Sequence, residues 1–238
     1  MNLYFLVEGK TEKKVYAEWV KHLIPELTLA KSLNNVQQNN YYLFNGGGYP
    51  KLLDEFLSEA VSEINQMGRF DYLVIVLDAD EVTVEERVQE VLAQFTTDKL
   101  HLERCQLQVI VQNKCFESWF LGNRVAFIRQ PQASFLRDCI NFYNVAQDDP
   151  ERMYKPAAFI ESASKFHFTY LRAMLAERNV FYSKRIPAGV VDATYLSQIE
   201  RRVDKLPEQL HSFQVFRDFC REIRKQILEG DNGDSGEQ

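Results

Sequence analysis

Three carboxylates within the first 80 residues are spaced so that they could do chemistry together. Glu8 follows the apolar run Leu3 to Val7, and Asp78 and Asp80 follow the apolar run Tyr72 to Leu77. An Asp-x-Asp at a strand terminus points both carboxylates the same way, because strand side chains alternate with period two. In a parallel sheet such strand ends share one edge, where open α/β sheets place their ligands. Carboxylates converging there repel each other strongly unless something neutralises them. A hard divalent cation does so, and oxygen-only ligands suit Mg²⁺ or Mn²⁺. A single acid after a strand is commonly a helix cap. The joint pattern is more specific than any of its parts.

The elements that must position these acids are legible. Leu3–Val7 reads as a buried strand, and Val15, Trp19, Val20, Leu23 and Ile24 recur at helical spacing up to Pro25. Residues 28–40 are polar and read as a loop. Tyr41–Phe44 reads as a second strand, followed by Gly46-Gly47-Gly48. That run is open to two readings: a loop skirting a phosphate or metal, or a tight strand-to-helix turn. It is not a P-loop, since no Gly-Lys-Ser/Thr ending follows. A helical stripe from Leu52 to Ile64 stops at Gly68. Tyr72–Leu77 is continuously apolar, as a strand covered on both faces must be. Another helix carries Val84 to Phe95, and Leu107–Val111 is a fourth strand, followed by a short helix ending at Gly122. The alternation predicts an α/β fold with a central, mostly parallel four-stranded sheet flanked by helices.

Beyond residue 123 the strand signals fade. Helices are expected around Phe135–Tyr143, over 157–182, over Tyr195–Val203 and over Phe213–Leu228. The organisation expected is a core at 1–122, a mainly helical C-terminal part at 123–228 packing on it, and a disordered acidic tail at 229–238.

Net charge is −6, but unevenly spread. Residues 1–113 carry 10 Lys/Arg against 17 Asp/Glu, and residues 152–228 carry 14 against 8. An acidic front and a basic back suit a metal site beside a polyanion groove, or else solvated helix faces. Arg201-Arg202 and Arg217, Arg221, Arg224, Lys225 are open to the same two readings. Cys105, Cys115, Cys139 and Cys220 are scattered, without metal-ligand spacing, and read as reduced, mostly buried thiols. His22, His101, His167 and His211 are isolated. No apolar run reaches the roughly 18–20 residues that span a bilayer, and Glu8 interrupts the N-terminal run before it could serve as a signal sequence. The expected location is the cytoplasm, with no membrane partner.

Val7-Glu8-Gly9-Lys10-Thr11-Glu12 and Val76-Leu77-Asp78-Ala79-Asp80 resemble the two signature motifs of the toprim fold. That fold is shared by topoisomerases, primases, small RNA-maturation nucleases and the overcoming-lysogenization-defect (OLD) nucleases. Phe116-Glu117-Ser118-Trp119-Phe120-Leu121 resembles a further motif of small stand-alone OLD-like or RloB-type toprim proteins of bacterial defence systems, often encoded beside an ATPase. Tyr182-Ser183-Lys184 resembles the same subset. The toprim resemblance covers roughly residues 1–122 and implies a Rossmann-like, toprim-like core.

The resemblance implies roles residue by residue. Glu8 matches the toprim glutamate, a metal ligand or general acid/base, and Asp78 and Asp80 match the metal-binding pair. Glu12, one helical turn after Glu8, resembles a second acid used for another metal, and Glu117 joins from the end of the fourth strand. Five acids exceed what one Mg²⁺ takes from protein, so one or two Mg²⁺ or Mn²⁺ ions are expected, a pair lying about 3.5–4 Å apart. A basic residue near the developing charge is implied as well, with Lys184 preferred, then Lys114, then Lys10. The expected function is metal-dependent hydrolysis of DNA or RNA in defence against foreign nucleic acid. The alternative is a non-catalytic toprim-like partner of a separately encoded ATPase, binding nucleic acid or regulating the complex. No Walker motif and no zinc-binding module are present, and no tyrosine has the context of a topoisomerase nucleophile. Trp119, with Phe116 and Phe120, is read as core packing in preference to base stacking.

Overall fold

The computed structural model describes residues 1–187 and 189–233. Its centre is a five-stranded parallel sheet in the order β2-β3-β1-β4-β5: β1 Asn2–Val7, β2 Thr28–Leu29, β3 Asn40–Asn45, β4 Tyr72–Asp78 and β5 Gln106–Gln112. The strand count is five where the sequence predicts four. The extra strand, β2, lies inside the segment read as a loop. It is two exposed residues long, so it has neither the apolar run nor the period that marks a strand in sequence. It forms by pairing with the edge of β3, Thr28 opposite Asn40 and Leu29 opposite Tyr41.

Contacts divide the chain into two interleaved units, and the expected 1–122 core is spread over both. The first unit comprises residues 1–77, 88–110 and, among the described residues, 215–233. β1 is its buried centre, pairing with β3 (Val7 opposite Asn45) and with β4 (Val7 opposite Val76). Period two sorts the side chains between faces. Tyr4, Leu6, Leu73 and Ile75 pack with α2 (Leu57–Met67) and with Val91 of α3 (Val84–Thr97). Phe5 and Tyr41 face the other way, where Tyr16 of α1 (Lys10–Leu23) stacks on Phe5. Phe216 and Phe219 of α8 (His211–Gly233) close that face against Tyr16 and Tyr72. Both faces are covered, which is why β1 and β4 read as unbroken apolar runs. Pro25 follows the end of α1, and Gly68 ends α2 in the left-handed conformation at φ +60°.

The second unit comprises residues 78–87 and 111–214. It holds α4 (Phe116–Leu121), α5 (Ser134–Phe142), α6 (Ala163–Ala176) and α7 (Ala193–Lys205). The helix expected over 157–182 is shorter than its aromatic content suggests. Ser162 caps its start by accepting from Lys165 N–H, and residues 177–182 form a connection. α8 runs on through Gly233, into the segment read as tail, and residues 234–238 lie outside the described residues.

Candidate functional site

In the first unit Glu8 follows β1 directly and α1 begins at Lys10, which is exposed. Glu12 is buried in the first turn of α1 and folds back over Gly9: a Cβ at position 9 would lie 2.6 Å from Glu12 Oε2. Glycine at 9 is thus what lets that carboxylate sit there. The Gly46-Gly47-Gly48 run is a strand-to-helix turn. Gly46 N–H donates to Val7 C=O, Gly47 N–H to Asn45 Oδ1 and Gly48 N–H to Glu8 C=O, at 2.8, 3.2 and 2.8 Å. With all three amides engaged, the run offers no cradle of donors to a phosphate.

In the second unit the chain leaves β4 through Asp78, which is buried. Ala79 N–H donates to Gln112 C=O at 2.9 Å and Asp80 N–H to Lys114 C=O at 2.7 Å, so this turn is fastened to the end of β5. Asp80 and Lys114 both adopt left-handed backbone, at φ +54° and +67°. Strand alternation holds only in extended backbone, so the period-two argument for Asp78 and Asp80 ends at Ala79. Asp80 Oδ1 instead accepts from Ser164 Oγ at 2.8 Å, in the first turn of α6. Glu81 accepts from Ala163 N–H at 3.2 Å and from Tyr154 O–H at 2.9 Å, and these bonds hold its carboxyl below the ordinary range.

Glu117 is carried by the first turn of α4, every residue of which is buried. Its side chain is only 2% exposed. Oε1 accepts from Tyr182 O–H at 3.1 Å and lies 4.0 Å from Lys184 Nζ. Oε2 is buried without a hydrogen-bond partner. Tyr182 and Lys184 are presented by a tight turn in which Ser183 and Ile186 exchange both backbone hydrogen bonds, at 3.1 and 3.0 Å. Lys184 is half in water, so this ion pair is weak.

Cys115 reports on the surrounding charge. Its thiol is fully buried, and burial pushes it well above its ordinary value. The carboxylates of Glu117 and then Asp78 push the same way, and Lys184 opposes them. Lys114 is directed elsewhere, its Nζ 5.8 Å from the Tyr154 ring centroid and its charge acting on Glu81.

A second layer was not legible in sequence. His167, read as isolated, is bonded on both ring nitrogens, to Ser118 Oγ at 2.9 Å and Met153 C=O at 3.0 Å. Burial lowers its pKa to about 4. The neutral ring therefore donates from Nε2 to the carbonyl and accepts at Nδ1 from the serine. This serine–histidine pair is fully buried and serves to hold α4 against α6. Trp119 is equally buried, packs against Phe116 and Phe213, and donates to Ser212 Oγ at 2.7 Å, so it is core. Ser212 also accepts from Asn113 N–H and donates to Glu151 Oε1. Arg202 is buried and donates to the carbonyls of Gly122, Val145 and Asp148. Arg217, Arg221, Arg224 and Lys225 pair with acids. The basic C-terminal half is thus partly structural. No local sequence signal links His167, Trp119, Ser212 and Arg202 to these hydrogen-bond partners, which lie 14 to 99 residues away.

Among the described residues no group of three or more His, Cys, Asp or Glu side chains is gathered as a metal ion would require. Carboxylate oxygens are the donors a hard cation takes, and Glu117 Oε2 is buried without a hydrogen bond. A scan against protein-family models, a search of curated proteins and a search of solved structures each return no match.

Proposed function

We propose that this chain is a toprim-type nuclease that hydrolyses DNA or RNA with Mg²⁺ or Mn²⁺. The observation that carries the reading is Glu117, a carboxylate almost wholly removed from water, with one oxygen unsatisfied. A buried carboxylate is costly unless a cation compensates it. Glu117 and Asp78 would hold the ion, and Asp80, Glu8 and Glu12 are the further acids the toprim resemblance implies. When bound, the ion would supply a water acidic enough to attack at neutral pH and charge to offset the leaving oxygen. The chain's own residues do the positioning. Tyr182 O–H fixes one oxygen of Glu117, Ser164 fixes Asp80, and Lys184 brings an ammonium to the carboxylate where phosphoryl charge would develop. The resemblance puts this activity in defence against foreign nucleic acid.

The test is cleavage of supercoiled plasmid and of structured RNA by the purified chain, with Mg²⁺ or Mn²⁺ and with chelator. Glu8→Ala and Asp78→Ala are each expected to reduce divalent-dependent cleavage at least 100-fold. Unchanged cleavage in both variants defeats the assignment.

The Lys184–Glu117 contact favours a second reading, a non-catalytic subunit of a separate ATPase. There the Lys184 ammonium, and not a metal ion, is the cation that faces Glu117. Co-purification with an ATPase, together with no heat of Mn²⁺ binding by calorimetry, would select it.

A further inference from the structure

α6 presents a basic and aromatic face. Lys165, Phe168 and Arg172 recur at i, i+3 and i+7 and so share one side of the helix. Lys165 Nζ lies 5.4 Å from the Phe168 ring centroid, and the Arg172 guanidinium carbon lies 5.5 Å from it. Lys165 also reaches Glu161 at 4.0 Å, an exposed and weak pair. Arg172 is exposed and has no carboxylate partner among the described residues. Beside this face runs an open groove of about 510 Å³, with Thr169, Arg172, Ala173 and Ala176 on the helix side and Phe181 and Tyr182 on the other. Phe181 is 64% exposed, although it adjoins the buried Tyr182. An exposed aromatic is unremarkable alone. Here it lines a groove with an arginine across from it, and the next residue donates to Glu117 at 3.1 Å.

We propose that this groove binds a single-stranded polynucleotide, one base stacking on Phe181 and the backbone phosphates running along Arg172 and Lys165 towards Glu117. This rests on the nuclease reading and gives that site its substrate form. The small side chains of Ala173 and Ala176 leave room for a flat base, and the cations supply the charge a phosphate backbone needs. An unstacked strand fits because a duplex hides its base faces from a ring such as Phe181.

The experiment is fluorescence anisotropy of labelled 20-mers, dT and rU, titrated with protein in EDTA, so that binding is read without cleavage. Phe181→Ala is expected to weaken binding about 10-fold, the scale of one lost base–aromatic stack, and Phe181→Trp to retain it. Arg172→Ala is expected to weaken binding and to lower the salt slope by about one phosphate contact. Phe135→Ala, an exposed aromatic on α5 outside the groove, is expected to leave it unchanged. All three positions are on the surface, and circular dichroism checks the folding of the four variants. Affinities within twofold of wild type for both Phe181→Ala and Arg172→Ala would overturn the proposal, as would wild-type protein that binds neither oligomer or binds duplex equally well. Cleavage abolished in Asp78→Ala, with binding indifferent to Phe181, removes the groove and keeps the nuclease. Phe181-dependent binding by a protein that never cleaves does the reverse.

Discussion

Replacing Glu151 by glutamine should flatten part of the protein's pH–stability profile. Glu151 is 3% exposed, lies in the 3-10 turn Pro150–Arg152 and faces the first N–H groups of α8. Its carboxylate accepts from Ser212 N–H, Ser212 O–H and Phe213 N–H at 3.0, 2.6 and 3.3 Å. Burial nevertheless dominates and raises its pKa from 4.5 to about 7. The folded state therefore holds this proton more tightly than the unfolded chain does. Its stabilising contribution is fully present below about pH 4.5 and is lost as pH rises through about 7. A shift of that size corresponds to about 3 kcal/mol in full, of which about 2–3 kcal/mol falls between pH 5 and pH 8. Glutamine cannot titrate and leaves at least one donor poorly matched, at about 1–3 kcal/mol. The variant should thus be clearly less stable than wild type at pH 5 and close to it at pH 8. Urea unfolding of both proteins at pH 5, 6, 7 and 8 measures this. Taking the difference at each pH removes titrations common to both, including that of His167. A wild-type–variant difference constant within about 0.5 kcal/mol across that range refutes the reasoning. The outcome bears on the site because Ser212, held by Glu151, is the acceptor for Trp119 of α4.

Three further outcomes are expected. His167, buried with a pKa lowered to about 4, contributes stability that is present above about pH 6.5 and lost as pH falls towards 4. A His167→Gln variant should show a shallower acid limb by urea unfolding over pH 4–7. Gly122→Ala should destabilise by about 1–3 kcal/mol, because its Cβ would lie 2.5 Å from Leu210 Cδ1 and 2.8 Å from Trp119 O, and backbone cannot move aside cheaply. Thermal denaturation reads this loss. Tyr182→Phe removes the hydroxyl on Glu117 and should slow divalent-dependent cleavage about tenfold, the scale of one hydrogen bond to a charged group, with little change in Tm; unaltered rates would show that Tyr182 does not position Glu117.

The sequence by itself determined the elements whose residues carry their own signal. β1 and β4 are apolar throughout because both faces are covered, α2 ends where glycine permits a left-handed residue, and Glu117 falls in a short helix after the last strand. The resemblance implies Lys184, whose Nζ lies 4.0 Å from Glu117 Oε1. Tertiary structure alone decided the rest. β2 exists only because β3 offers it an edge. Asp80 leaves strand alternation because a backbone bond to Lys114 fastens the turn, and Ser164, 84 residues away, takes its carboxylate. His167 and Arg202 became core through partners distant along the chain, whereas Trp119 is core as its aromatic neighbours imply. Local propensity and periodicity are properties of neighbours in sequence, whereas a hydrogen bond to a buried polar group is settled by whichever segment the fold brings within about 3 Å.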